Sequence, residues 1–281
     1  MLLPTAEGNL SEIYFPLTAN PAGYNHLLLA ENVLWQFPET QLLVFILSNG
    51  RHPDPFKTVQ IPHPSLRYEI LRNALLEWSD PENSLPARYA DESKVLLKLG
   101  RNNCAISRWE LSFSSPLRLA DHVQYFSTDQ KIALIVGADL IQRMLDPRIF
   151  TDTDLAQIES GCLLIAAPRD DIDLKKTLQL IKQKRGLKLS VLQITPSVLP
   201  KKLQKFYQIS STHIRKAAQA GHSLEAFLPV NAALHISQNH LYNRRKQNTD
   251  SNYSHLNEHQ HSCFELKEQL EAAAVKLQKH L

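Results

Sequence analysis

Ile13-Tyr14-Phe15-Pro16-Leu17-Thr18-Ala19-Asn20-Pro21-Ala22-Gly23-Tyr24-Asn25-His26, with the apolar-rich segment up to Trp35, decides the fold class of this chain. Ile13 to Ala19 reads as a strand, Asn20 to Asn25 as a turn, and His26 to Trp35 as a helix whose Leu28, Leu29, Val33 and Leu34 point to a core. The same alternation continues downstream. Leu42 to Leu47, residues 103 to 111, Ile132 to Val136, Cys162 to Ala166 and Leu189 to Ile194 read as strands. Between and after them lie helical patterns at Ser65 to Trp78, Pro116 to Phe126, beyond Thr212 and from Pro229 to Tyr242. Short apolar strands separated by helices predict an α/β fold, a mainly parallel sheet with helices on both faces.

A sheet of that kind holds its ligands outside the carboxyl ends of its strands, where the Asn20–His26 turn and the Gly137-Ala138-Asp139 turn both fall. Asp139 there can contact a ribose or cation, or can cap a helix. Farther on, Ile209-Ser210-Ser211-Thr212-His213-Ile214-Arg215 joins hydroxyls, a helix start and a guanidinium. Ser211 or Thr212 can cap a helix through Ile214, Ala217 and Ala218, presenting N–H groups and the positive dipole end to an anion. Arg215, one turn in, adds a planar fork suited to phosphate oxygens.

Four segments together resemble the nicotinamide and nicotinate mononucleotide adenylyltransferases of the HIGH nucleotidyltransferase superfamily. Leu17 to His26 matches, without gaps, the G-[ST]-F-[DN]-P-x-[HT]-x-G-H loop through Thr18, Asn20, Pro21 and His26. Pro53-Asp54-Pro55-Phe56-Lys57, with Arg67 downstream, resembles a Pro-rich loop ending in Lys before an Arg-bearing helix. Val136-Gly137-Ala138-Asp139, continuing to Arg143, Asp146 and Pro147, resembles the G-x-D segment, and the fourth is the ISST-x-IR run. The resemblance implies a Rossmann-like topology and adenylyl transfer from Mg2+-ATP to a mononucleotide. It implies that His26 contacts phosphate and that Ser210, Ser211, Thr212 and Arg215 hold the distal phosphates. Thr18, Asn20, Gly23, Asn25, Gly137 and Asp139 would line the nucleotide site, with Lys57 and Arg67 as anionic contacts. The first motif is a non-standard HxGH: Gly23 stands at the first His/Thr position and Asn25 at the glycine. Restoring His and Gly there is expected to raise transfer, and His213 is the nearest stand-in for the missing imidazole. The choice between nicotinamide and nicotinate stays open. So does the alternative of a nucleotide-binding sensor or scaffold with little activity, while an aminoacyl-tRNA synthetase fragment lacks a KMSK-type loop.

The 281 residues, 43% of them hydrophobic, allow a sizeable core. A net charge of +3 is too small to imply nucleic acid or a membrane surface. Cys104, Cys162 and Cys263, odd in number and far apart, argue for reduced thiols in the cytoplasm. No leader and no run of about 20 apolar residues is evident, so no membrane partner is expected. Three segments follow: a nucleotidyltransferase-like domain at 1–243, a polar linker at 244–262, and an amphipathic helix at 263–281 carrying Leu266, Leu270, Ala273, Ala274, Leu277 and Leu281. That helix can dock on the domain or join copies into a homo-oligomer. His255, His259, His261 and Cys263 lack a second cluster to close a zinc site, so small nucleotides are the expected partners and no protein-bound metal is expected.

Overall fold

Alternate residues of the strands serve opposite faces of one sheet, and that periodicity of two builds two cores. In β1 (Glu12–Leu17), Ile13, Phe15 and Leu17 join the core on one face, and Tyr14 packs against the other. In β4 (Ile132–Gly137), Ala133 and Ile135 go to the first core and Ile132, Leu134 and Val136 to the second. The computed structural model describes residues 10–50, 61–80, 99–100, 103–115, 117–127, 130–167, 172–195 and 201–242. The chain divides into Met1–Tyr242 and Asn243–Leu281, and every described residue lies in the first unit. Lys57, the linker and the terminal helix lie outside the described residues.

The sheet runs β3-β2-β1-β4-β5-β6, with every pairing parallel. Its other strands are β2 (Leu42–Leu47), β3 (Cys104–Ser107), β5 (Cys162–Ala167) and β6 (Ser190–Gln193). Helices α1 (Tyr24–Gln36) and α2 (Pro64–Trp78) cover the first face. They are joined there by α8 (Ser211–Gln219) and α9 (Val230–Gln238). The second face is covered by α3 (Leu119–Phe126), α4 (Ala138–Arg143), α5 (Asp152–Gly161) and α6 (Leu174–Arg185). A short α7 (Lys201–Gln204) precedes a 3-10 turn at Lys205–Gln208. This is the α/β, Rossmann-like sheet that the strand pattern and the resemblance imply. Among the described residues, no helix is long and apolar enough to cross a membrane.

The helix expected from Pro116 begins at Leu119 and the one expected to reach Tyr242 ends at Gln238; two further boundaries shift for identifiable reasons. The third strand stops at Ser107, because Trp109–Ser112 turns into a 3-10 segment that buries Glu110. The first helix starts at Tyr24 rather than His26, since Tyr24 N–H donates to the Phe227 carbonyl (3.0 Å) and its place in the first turn is satisfied from outside the helix. Trp35 and Trp78 are packing residues: both indoles donate to buried Glu31, at 3.0 and 3.3 Å, and Leu99 N–H completes the carboxylate's shell at 2.9 Å.

Candidate functional site

The strand order reverses between β1 and β4, and there the ends of neighbouring strands lead away in opposite directions and leave a crevice. A cavity of about 480 Å³ lies there, within the usual size of a small-ligand site. Thr18, Asn20, Asn25 and His26 line it from the first loop, Gly137 and Asp139 from the β4 end, and Ser210, Ser211, Thr212 and Arg215 from α8. The structure thus gathers most of the residues that the motifs single out, from opposite ends of the chain.

His26 sits at the third position of α1, where its Nδ1 accepts the Gly23 N–H at 3.1 Å. That bond closes the helix start and makes Nε2 the protonated nitrogen of the neutral ring. Position 23 is crowded. Its backbone, at φ −101° and ψ −177°, suits any residue, yet a Cβ would meet Ile214 Cδ1 at 2.5 Å and the Phe227 carbonyl at 3.2 Å. Gly23 lies buried under α8, away from the cavity wall, so a histidine there must first displace the flexible end of Ile214 and ease the Phe227 carbonyl aside. Gly23→His is expected to cost about 1–3 kcal/mol by overpacking, and Ile214→Val, which removes Cδ1, to recover part of it. Thermal denaturation of the single and double variants checks this; a Gly23→His protein as stable as the parent would show that the helix start has slack.

The cap of α8 is Ser210, one residue earlier than the spacing suggests. Its hydroxyl accepts the His213 N–H (3.3 Å), and His213 Nδ1 faces the Ser210 N–H and hydroxyl at 3.4 and 3.1 Å. His213 is exposed and does not line the cavity, so it does not replace the missing imidazole. With the cap duty taken, Ser211 and Arg215 reach across to the first loop: Ser211 Oγ donates to the Pro21 carbonyl (2.9 Å) and Arg215 Nη1 to the Asn20 carbonyl (2.6 Å). Arg215 Nη2 also donates to Thr212 Oγ1 at 3.0 Å. The guanidinium is thus fixed beside the cavity, and its partial burial lowers its pKa. Asn20, in a cis bond to Pro21, is held from its other side by the Tyr242 hydroxyl, which donates to Oδ1 at 2.8 Å.

Arg67 departs from its expected role. It is fully buried, and its three donor nitrogens bond the carbonyls of Pro62 (3.0 Å), Thr18 (2.6 Å) and Ser48 (2.8 Å). Burial pulls its pKa down to about 10. A guanidinium spent on main-chain oxygens does not reach a ligand, so Arg67 clamps the carboxyl ends of β1 and β2.

A second cavity, of about 200 Å³, adjoins the first. Its walls include apolar Leu119, Leu140, Ile149 and Phe150 and the buried pair Glu110–His122. Glu110 accepts the Asn49 N–H at 3.0 Å and faces His122 Nε2 at 3.1 Å, while His122 Nδ1 faces the Arg118 carbonyl at 2.9 Å. No motif marks this pair, because it forms only when the 3-10 turn meets α3. Tyr207, Leu29 and Ala167 are also lining residues that sequence patterns do not distinguish from ordinary core positions.

No protein-family model matches the chain. A curated relative, the probable nicotinate-nucleotide adenylyltransferase of Synechococcus sp. (strain JA-2-3B'a(2-13)), is 26% identical over 226 residues, covering 80% of this chain and 93% of that one. Among solved structures, the Plasmodium falciparum nicotinic acid mononucleotide adenylyltransferase complexed with APC superposes with a TM-score of 0.53 at 12% identity, over 82% of this chain and 96% of that one, which speaks for the fold. In sequence and in fold, therefore, the chain is nicotinate mononucleotide adenylyltransferase-like.

Proposed function

We propose that this protein is an adenylyltransferase that joins ATP to nicotinate or nicotinamide mononucleotide, forming the dinucleotide and pyrophosphate in NAD biosynthesis. The observation that carries this reading is that His26 and Arg215, from opposite ends of the chain, line one cavity at the reversal of the strand order. The name of the curated relative supports the substrate class. In the reaction a phosphate oxygen of the mononucleotide attacks the α-phosphorus of ATP. One P–O bond forms, the bond to the β-phosphate oxygen breaks, and pyrophosphate leaves with that electron pair. No covalent enzyme intermediate is required, so catalysis rests on alignment and charge neutralisation. His26 Nε2–H and the Arg215 fork neutralise the phosphates, and the start of α8 takes the distal ones. The apolar second cavity takes the pyridine base.

Magnesium enters with the triphosphate. Among the described residues no three His, Cys, Asp or Glu side chains converge, and Asp139 is the carboxylate lining the cavity. That donor set fits an ion whose other ligands are phosphate oxygens and water.

The decisive experiment measures dinucleotide formation from Mg2+-ATP with each mononucleotide; absence of product with both ends this reading. ATP is also expected to protect the protein against heat, since a ligand at 100 times its Kd stabilises the folded state by about 2.7 kcal/mol. Arg215→Ala should weaken that protection. An unchanged melting temperature of the parent at millimolar ATP and magnesium would remove the nucleotide site itself.

A further inference from the structure

The two cavities share four lining residues, Pro16, Leu17, Thr18 and Arg143, and among these Arg143 alone is charged. It ends α4, the helix that begins directly at the β4 end, so its Cα is fixed relative to the crevice. The neighbouring cations are each oriented by protein partners: Arg215 donates to Asn20 and Thr212 while lining the first cavity only, and Arg118, which lines the second, pairs with Asp154 at 2.9 Å. Arg143, by contrast, meets Asp139 at a loose 3.9 Å, with both side chains partly in solvent (33% and 45% exposed). Such a pair holds its members weakly and is readily exchanged for phosphate.

We propose that Arg143 is a catalytic residue that bridges the phosphates of the two substrates where they are joined. This rests on the adenylyl-transfer reading above. Two anionic phosphates must approach within bonding distance at the boundary between the cavities, and a planar guanidinium there offers parallel donors to both. Position 23, where the resemblance would place a second phosphate-facing group, carries no side chain and does not line the cavity. Arg143 supplies charge from the opposite wall. When the phosphates arrive it exchanges its loose contact with Asp139 for them.

The test uses the full chain. Arg143→Ala should lower kcat for dinucleotide formation by about 10², with the melting temperature and its increase by Mg2+-ATP retained, because α8 holds the distal phosphates. Arg143→Lys, which keeps charge but loses the fork, should recover part of the turnover. Affinity for the dinucleotide product, measured by calorimetry, should fall about tenfold in Arg143→Ala. Arg148→Ala, at an 87% exposed side chain bound to Asp146, is the control and should match the parent. An active parent whose Arg143→Ala variant stays within threefold in turnover and product affinity overturns the role of Arg143 and leaves the enzyme reading intact. A parent that makes no dinucleotide with either mononucleotide overturns that reading, and the role of Arg143 with it.

Discussion

Replacing Arg67 by alanine should lower the melting temperature by roughly 10 °C and loosen the strand ends that line the cavity. The side chain ties Thr18 and Ser48, at the ends of adjacent strands, to Pro62 just before α2. Without it three carbonyls lose their donor in a partly buried region. Each such loss costs about 1–3 kcal/mol, and the cavity left by the stem adds to it. A total of about 4–5 kcal/mol lies in the range reserved for broken buried networks. At roughly 2–4 °C per kcal/mol for a chain of this size, the drop is readily measured. Arg67→Lys, which cannot span three acceptors with a fork, should fall between the two and keeps the test readable if the alanine protein fails to fold. If Arg67 instead contacted substrate, as its place after the Pro-rich loop implied, the melting temperature would hold and ATP affinity alone would fall.

His26→Ala is expected to reduce dinucleotide formation by about 10² to 10³, the scale for removing one preorganised donor at a developing charge. The substitution also removes the acceptor for the Gly23 N–H, a loss of about 1 kcal/mol from the start of α1. His26→Asn separates the two effects. Its Oδ1 can keep the capping bond, so stability should return while turnover stays low. Equal activity of the Asn variant and the parent would mean that His26 serves the helix start and nothing else. The imidazole would then be dropped from the catalytic set.

The strand-turn-helix unit was legible because alternation, turn residues and a leucine-rich helix all coincide between Ile13 and Trp35, and the parallel sheet followed from its repetition. The crevice was legible because Asn20, Gly137 and Ser211 each stand at the junction of a strand or loop with a helix start, a position that local sequence specifies. Arg67 was misread for a physical reason. An arginine that binds phosphate and one that binds carbonyls present the same residue type at the same spacing, and only burial tells them apart. The crowding around Gly23 likewise comes from Ile214 and Phe227, which are remote in sequence and enter no local pattern. The shift of the α8 cap to Ser210 lay within the uncertainty of any Ser-Ser-Thr run. The Glu110–His122 pair and Arg143's place at the boundary of the cavities arise from tertiary contacts that no single segment encodes.

The hold on the first loop has a consequence for how the protein acquires its site. Asn20 and Pro21 are secured by Ser211, Arg215 and Tyr242, partners 190, 195 and 222 residues away in sequence. Contacts of such span carry the full loop-closure cost and form late, after the β1 to β5 pairings have given the chain a surface to dock on. During synthesis, with the amino terminus emerging first, the strands can assemble while the cavity is still half built. A nascent chain that ends before α8 has His26 and the β4 side of the cavity but lacks the wall made by Ser210, Ser211, Thr212 and Arg215. The cavity therefore closes only with the last part of the domain, so its formation reports on completion of the fold itself.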